Sequence, residues 1–321
     1  MDQQLIETVT RLVLEKLKAA EGSPVPSDSP GPTVKTKRTI GAVKVWDHVD
    51  HRPQAQPVHT PTPTSMTAEQ PKPAPRKETP GIAAPKNKEQ LQELMKQTPA
   101  RIGIGRAGLR PKTDAWLAFR SDHAAAVDAV YGTVADSVLE RLQVFRVTTR
   151  VGSKEEYILR PDLGRRLSEE AKETLRKRCK KKPRVQIVFS DGLSSQALEA
   201  NAEDTYLALA QSLAALGIET GTPFFVERGR VAVMDDIGEV LEPDVIVLLI
   251  GERPGLVSAE SLSAYLCYRP RRGMVEADRM VISNIHAGGI PPVEAGAYLG
   301  DVVQKILKYE ASGVSLVQKE Q

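Results

Sequence analysis

The 321-residue sequence predicts an α/β fold: a Rossmann-like, mainly parallel sheet with helices on both faces, preceded by a small helical region and a disordered N-terminal extension. Three observations carry this reading. The runs Val185–Phe189 and Val245–Ile250 are largely apolar from end to end, as strands buried on both faces must be. Longer segments at helical spacing alternate with such runs. Before them lies a long tract rich in proline and poor in apolar residues, which cannot bury enough surface to repay its ordering.

The elements follow in chain order. Residues 1–20, MDQQLIETVTRLVLEKLKAA, set Leu5, Ile6, Val9, Leu12, Val13 and Leu17 at helical spacing, with Glu7, Arg11 and Lys18 elsewhere on the surface. A helix this short is marginal alone and calls for a partner surface. Residues 21–88 read as a Pro-rich flexible linker, with one island, Ile40–Asp47, able to form a brief strand or a second docking motif. His48, His51 and His59 lie in this tract without the spacing of a metal site. Residues 89–167 read as the helical N-terminal part of the folded body. Helices are expected over Glu89–Gln97 and Thr113–Val130, the second with Trp116, Leu117, Phe119 and a partly buried His123 toward one face. Residues 168–321 carry the α/β order itself. It runs as a helix Ser168–Lys180, a strand Val185–Phe189, a helix Ser195–Leu216 and two strands around a tight turn within Phe224–Val233. A strand Val245–Ile250, a helix Ala259–Leu266, a strand Met280–Ile285 and a helix Pro292–Tyr309 complete it.

Several function classes find no support. The net charge of +3 gives no global basic field for nucleic acid or an anionic membrane. The basic run Arg176–Arg184 falls at a predicted helix C-terminus, where cations suit the helix dipole, and no aromatic interleaving accompanies it. Cys179 and Cys267 are too few for a disulfide framework or a cysteine metal site, which suits a reducing cytosol. No apolar run is long enough for a membrane span, and no secretory leader pattern opens the sequence. The hexapeptide Gly103-Ile-Gly-Arg-Ala-Gly108 matches G-x-G-x-x-G, but its preceding strand covers at most Ala100–Ile104. Leu109-Arg-Pro111 interrupts the following helix, and Asp122 falls within a helix.

In an open α/β sheet, ligands sit outside the carboxyl ends of the strands. Three loops at such positions carry the candidate chemistry: Ser190-Asp-Gly-Leu-Ser-Ser195, Gly251-Glu-Arg-Pro-Gly255 and Asn284-Ile-His-Ala-Gly-Gly-Ile-Pro-Pro292. Their glycines let backbone approach a ligand and offer free amides; the plainer alternative is glycine that only makes a turn. No G-x-S-x-G elbow occurs, and the body holds only His123 and His286; His286 could orient a ligand or cap a backbone carbonyl. The residues describe a binding domain with a composite pocket, without a self-sufficient acid, base and nucleophile and without a metal site.

Six ordered motifs bring a family into view. They are Gly105-Arg-Ala-Gly-Leu-Arg-Pro-Lys-Thr113, Arg160-Pro-Asp-Leu-Gly-Arg-Arg166, Ser190-Asp-Gly-Leu-Ser194, Gly221-Thr-Pro-Phe-Phe-Val226, Gly251-Glu-Arg-Pro-Gly255 and Ser283-Asn-Ile-His286. Together, over about residues 99–317, they resemble the small (light) subunit of ethanolamine ammonia-lyase. Residues 1–20 resemble that family's microcompartment-targeting segment, while the linker is longer and richer in proline than the family pattern. The resemblance implies radical deamination of ethanolamine to acetaldehyde and ammonia by a carbon–nitrogen lyase that uses adenosylcobalamin and is active only with its large subunit. In that family the large subunit, a barrel, holds the substrate, and the small subunit closes over the shared cobalamin at the interface. The family's cobalamin contacts fall on Val231, Glu252 and Val281 of this sequence. Because no D-x-H-x-x-G motif is present, the cofactor is expected base-on. The resemblance further implies the lumen of a bacterial microcompartment, reached through a shell or lumen protein that takes up residues 1–20, with neither nucleic acid nor membrane as partner. Two rival readings stand beside it: a noncatalytic scaffold or adaptor of the same fold, and an oxidoreductase built on Gly103–Gly108.

Overall fold

The computed structural model describes residues 81–321 except Pro99 and Val257. The helix expected over residues 1–20, and the linker as far as residue 80, lie outside the described residues.

The chain begins with α1 (Lys88–Lys96), capped by the Asn87 side chain, which accepts from the Gln90 amide at 2.9 Å. Two short antiparallel strands follow, β1 (Arg106–Ala107) and β2 (Arg110–Pro111), and then the long helix α2 (Thr113–Tyr131). Ala129 is the buried residue of α2; Trp116 and Leu117 are exposed, and so is His123, against the expectation that it is partly buried. The reason is that α2 is buried at Ala129, near its C-terminal end, where Ser195 meets it, while farther up the helix its neighbour is the Arg101 side chain, which lies over Phe119 and pairs with Asp122. Next come α3 (Asp136–Arg141), β3 (Phe145–Thr148) and α4 (Lys154–Leu159), none of them among the expected elements. After α5 (Glu169–Arg178), β4 (Val185–Ser190), α6 (Ser195–Ala215) and β5 (Phe224–Glu227), the chain continues through α7 (Val233–Leu241), β6 (Val245–Gly251), β7 (Leu262–Tyr268) and β8 (Met280–Ile285). It ends in α8 (Pro292–Tyr309) and α9 (Gly313–Glu320).

Six strands form one sheet in the order β3-β5-β4-β6-β7-β8, in which β3, β5, β4 and β6 are parallel, while β7 is antiparallel to both of its neighbours. The fold is the mainly parallel α/β sheet that the apolar runs predict. Alternate residues of the strands feed two separate cores. Val185, Ile187 and Phe189 of β4 and Val245, Val247 and Leu249 of β6 pack with α6 and α8 on one face. Val188, Ile246, Leu248 and Ile250 pack with α5 and α7 on the other.

Two expected elements are different in kind. The expected helix Ala259–Leu266 is instead strand β7, because a short apolar run satisfies either period, and the free edge of β6 supplies ladder partners from Val245↔Tyr268 to Gly251↔Leu262. The second strand expected within Phe224–Val233 does not form. Arg228 takes a left-handed φ of 58°, which ends β5, and the chain turns directly into α7, whose first turn carries Asp235 and Asp236.

Candidate functional site

The register aligns the strand ends. Ser190 lies beside Val226 and Ile250, Gly251 beside Leu262, and Leu262 beside Ile285. The carboxyl ends of β4, β5, β6 and β8 therefore share one edge with the start of β7, and the three loops picked out from the sequence meet there. Leu193 donates its amide to the Gly251 carbonyl at 2.9 Å, and the Ser194 hydroxyl donates to the Ala259 carbonyl at 2.7 Å. Gly192, at a φ of 52°, lies so close to Gly251 that a Cβ would strike the Gly251 carbonyl. The β8 loop joins through His286, whose Nε2 lies 3.3 Å from Ser258 Oγ and 2.8 Å from Asn284 Oδ1. Its Nδ1 accepts the Gly288 amide at 3.1 Å, so the neutral ring carries its proton on Nε2 and donates toward Asn284. His286 thus caps a backbone N–H rather than the carbonyl the sequence allowed. Asn284, at a φ of 64°, lies where the β7–β8 register shifts, two residues of β8 falling opposite Ser263 alone.

Val231 sits in the turn between β5 and α7, and that turn is held from beneath. The Arg228 amide donates to Asp191 Oδ1 at 2.6 Å, the Gly229 amide to Ser190 Oγ at 3.1 Å and the Arg230 amide to the Gly164 carbonyl at 2.8 Å. The Tyr157 hydroxyl donates to the Gly229 carbonyl at 2.8 Å, and the Arg230 guanidinium lies over the Tyr157 ring, 4.1 Å from its centre. Asp191 is 3% exposed and pairs with Lys154 Nζ at 3.2 Å. Burial pushes its carboxyl upward, against the opposing pull of Lys154 and the Arg228 amide.

Glu252 follows β6 directly, and its Oε1 accepts from the Tyr265 hydroxyl at 2.9 Å. Tyr265 lies on β7 in register with Val281 of β8, and directly opposed residues of adjacent strands present their side chains on the same face. Val281 is 45% exposed, a large apolar side chain with no helix over it. Tyr265 and Val231 pack against the same core, the one covered by α5 and α7. One face of the sheet thus brings Glu252 and Val281 together at Tyr265, with Val231 on the same hydrophobic layer. Sequence reasoning missed Tyr265 because its segment was expected to be helical; the aromatic enrichment of Tyr265 and Tyr268, closed by Arg269-Pro270, was the signal for a strand. It missed Lys154 and Tyr157 as well, which come from a helix with no motif of its own.

The G-x-G-x-x-G segment forms the β1–β2 hairpin with Gly108 at its tip, so β1 is followed by a strand rather than a helix, and the phosphate cradle of a dinucleotide fold is not built there. The basic run ends α5 and continues into surface pairs, Lys180 with Glu219 at 2.8 Å and Arg184 with Asp244 at 2.9 Å. Among the described residues, no group of three or more His, Cys, Asp or Glu is placed to hold a metal ion, and no helix is long and apolar enough to cross a membrane.

The family model for the ethanolamine ammonia-lyase light chain matches residues 88–317, from the first residue of α1 into α9. The chain belongs to this family. It is 51% identical to the ethanolamine ammonia-lyase small subunit of Clostridium tetani over 232 residues, 72% of this chain and 79% of that one. It is 48% identical to that of Lachnoclostridium phytofermentans over 231 residues, 72% of this chain and 78% of that one. With that of Listeria innocua it shares 45% identity over 235 residues, 73% of this chain and 80% of that one. All the strand-end loops and Val231, Glu252 and Val281 fall inside the light-chain match.

Proposed function

We propose that this chain is the small subunit of an ethanolamine ammonia-lyase, a lyase that deaminates ethanolamine to acetaldehyde and ammonia, and that it closes the adenosylcobalamin site at the interface with a large catalytic subunit. The observation that carries the reading is one face of the sheet on which Glu252, at the carboxyl edge, is bonded to Tyr265 in the middle of β7, with Val281 of β8 in register beside it. The chemistry of that face fits the cofactor. A corrin ring is an apolar plate rimmed by amide side chains, so it needs apolar contact and hydrogen-bond acceptors. Val281 offers the first, exposed and uncovered. Glu252 offers the second, since only Oε1 is engaged by Tyr265 and Oε2 has no partner among the described residues. Val231 adds packing on the same layer.

When bound, the cofactor supplies the radical that starts the reaction, by breaking its cobalt–carbon bond. This chain's part is to bind, orient and exclude water. Glu252 accepts a hydrogen bond from the cofactor's periphery, Val231 and Val281 pack against it, and the glycine-rich loops bring backbone close enough to leave no room for solvent. The sequence holds no D-x-H-x-x-G motif, so a base-on cofactor would suit this chain.

Residues 1–20 are proposed to carry the enzyme into the lumen of a bacterial microcompartment by docking their apolar stripe on a shell or lumen protein. The test of the enzymatic reading is turnover of ethanolamine by the purified chain, by its large subunit and by the two together in the presence of adenosylcobalamin. Activity only in the mixture is expected; activity of this chain alone, or none in an assembled complex, would overturn it.

A further inference from the structure

We infer that Tyr265 is a positioning residue for cofactor binding, whose hydroxyl fixes the Glu252 carboxylate so that Oε2 faces the cofactor's amide edge beside Val281. The inference rests on the reading of Glu252 and Val281 as cofactor contacts and adds the group that makes them one unit. Glu252 itself stands at the start of an irregular segment, between the end of β6 and the start of β7, where a free glutamate would sample several rotamers. Tyr265 has no such freedom. It lies in the middle of β7, in register with Leu248 on one side and Val281 on the other, and its ring packs against the buried core. The 2.9 Å bond from its hydroxyl to Oε1 therefore transfers the geometry of the sheet to a loop side chain.

Among the described residues the sole hydrogen-bond partner of the Tyr265 hydroxyl is Glu252, and a phenylalanine would fill the same place in the core. Burial, followed by the adjacent Glu252 charge, raises the phenol well above its usual range, so it remains a proton donor at every pH at which the enzyme would work. A carboxylate with one oxygen committed to a fixed donor has one oxygen left in a defined direction, and binding to it orders fewer rotors.

The test uses the enzyme assembled from both subunits, with Y265F, E252A and the double variant. Hydroxocobalamin, which binds without turnover, is titrated by absorbance, and KM for adenosylcobalamin is measured separately from kcat. Y265F is expected to weaken hydroxocobalamin binding about tenfold, the loss of one hydrogen bond to a charged group. KM for the cofactor should rise in parallel, with kcat at saturating cofactor and the melting temperature of the complex unchanged. In the E252A background, Y265F is expected to add nothing. Unchanged binding in Y265F beside weakened binding in E252A would overturn the role of Tyr265 while leaving Glu252 in the site. Unchanged binding in both would remove Glu252 and the inference together. Equal losses in the two backgrounds would mean that Tyr265 acts by packing, and would also overturn it. If Y265F does not assemble, Glu252→Asp carries the test: the charge is kept, the shorter side chain cannot reach the Tyr265 hydroxyl, and wild-type affinity would contradict the inference.

Discussion

Asp191 accepts a 2.6 Å hydrogen bond from the backbone N–H of Arg228, and this contact ties the turn after β4 to the turn after β5. The second Asp191 oxygen meets Lys154 Nζ at 3.2 Å, which brings α4 into the same joint. The turn that carries Val231 is thereby fixed from within the protein, before any cofactor or partner arrives.

Replacing Asp191 with alanine would leave the 11%-exposed Lys154 cation without its partner and the Arg228 amide without its acceptor. The expected cost is about 3 kcal/mol of unfolding free energy, read from urea denaturation of the chain. Asp191→Asn keeps an acceptor for the amide and should cost less. A loss below about 1 kcal/mol in Asp191→Ala would show that the joint contributes little.

Tyr157→Phe removes the donor to the Gly229 carbonyl while keeping the ring beneath Arg230. A loss of about 1 to 2 kcal/mol is expected, since a buried carbonyl is left unpaired. Because that carbonyl belongs to the Arg228–Arg230 turn, the assembled enzyme should also bind cobalamin more weakly. Equal stability with equal cofactor affinity would detach Tyr157 from the site.

Both thiols are expected to be unreactive in the folded protein, where they are free and buried. Burial pushes Cys179 and Cys267 each up to about 11, so only about one molecule in a thousand carries a given thiolate at pH 8. Ellman's reagent at pH 8 should find almost no reactive thiol in the native chain and two after guanidinium denaturation. Rapid labelling of either cysteine in the folded chain would contradict the burial of β7 or of the end of α5.

The sheet was readable in the sequence wherever a strand is buried on both faces. Val185–Ser190 and Val245–Gly251 are long apolar runs, and both strands appear with the expected direction. The strand β7 was not readable, because Leu262–Tyr268 is a short apolar run whose period fits either structure, and its choice is made by the edge of β6. The strand β3 has only four residues at the sheet's edge, of which Val147 is buried, and leaves almost no pattern. At the site, the glycine-bearing loops were legible from their places after strands. Tyr265, Tyr157 and Lys154 were not, because their role comes from contacts across 13, 72 and 37 residues that no local pattern encodes.

The proposed sorting function of residues 1–20 makes its own prediction. A fluorescent protein carrying these residues should collect in the microcompartment, and their deletion should leave an active enzyme in the cytosol. Replacing Val9 and Val13 with glutamate should abolish sorting, since each charge would enter an apolar contact unpaired. A diffuse fusion, or a deletion that lowers subunit association, would count against targeting.

The cobalamin site is proposed to exist only where both subunits meet, so the decisive quantity is cofactor affinity measured on each subunit and on the pair. Absorbance titration with hydroxocobalamin should show weak or no binding to this chain alone and tight binding to the assembled enzyme. Glu252→Ala in the assembled enzyme should weaken that binding by about 1 to 3 kcal/mol, with assembly unchanged. An assembled enzyme whose cofactor affinity equals that of the large subunit alone, and is indifferent to Glu252→Ala, would contradict a role for this chain in closing the site.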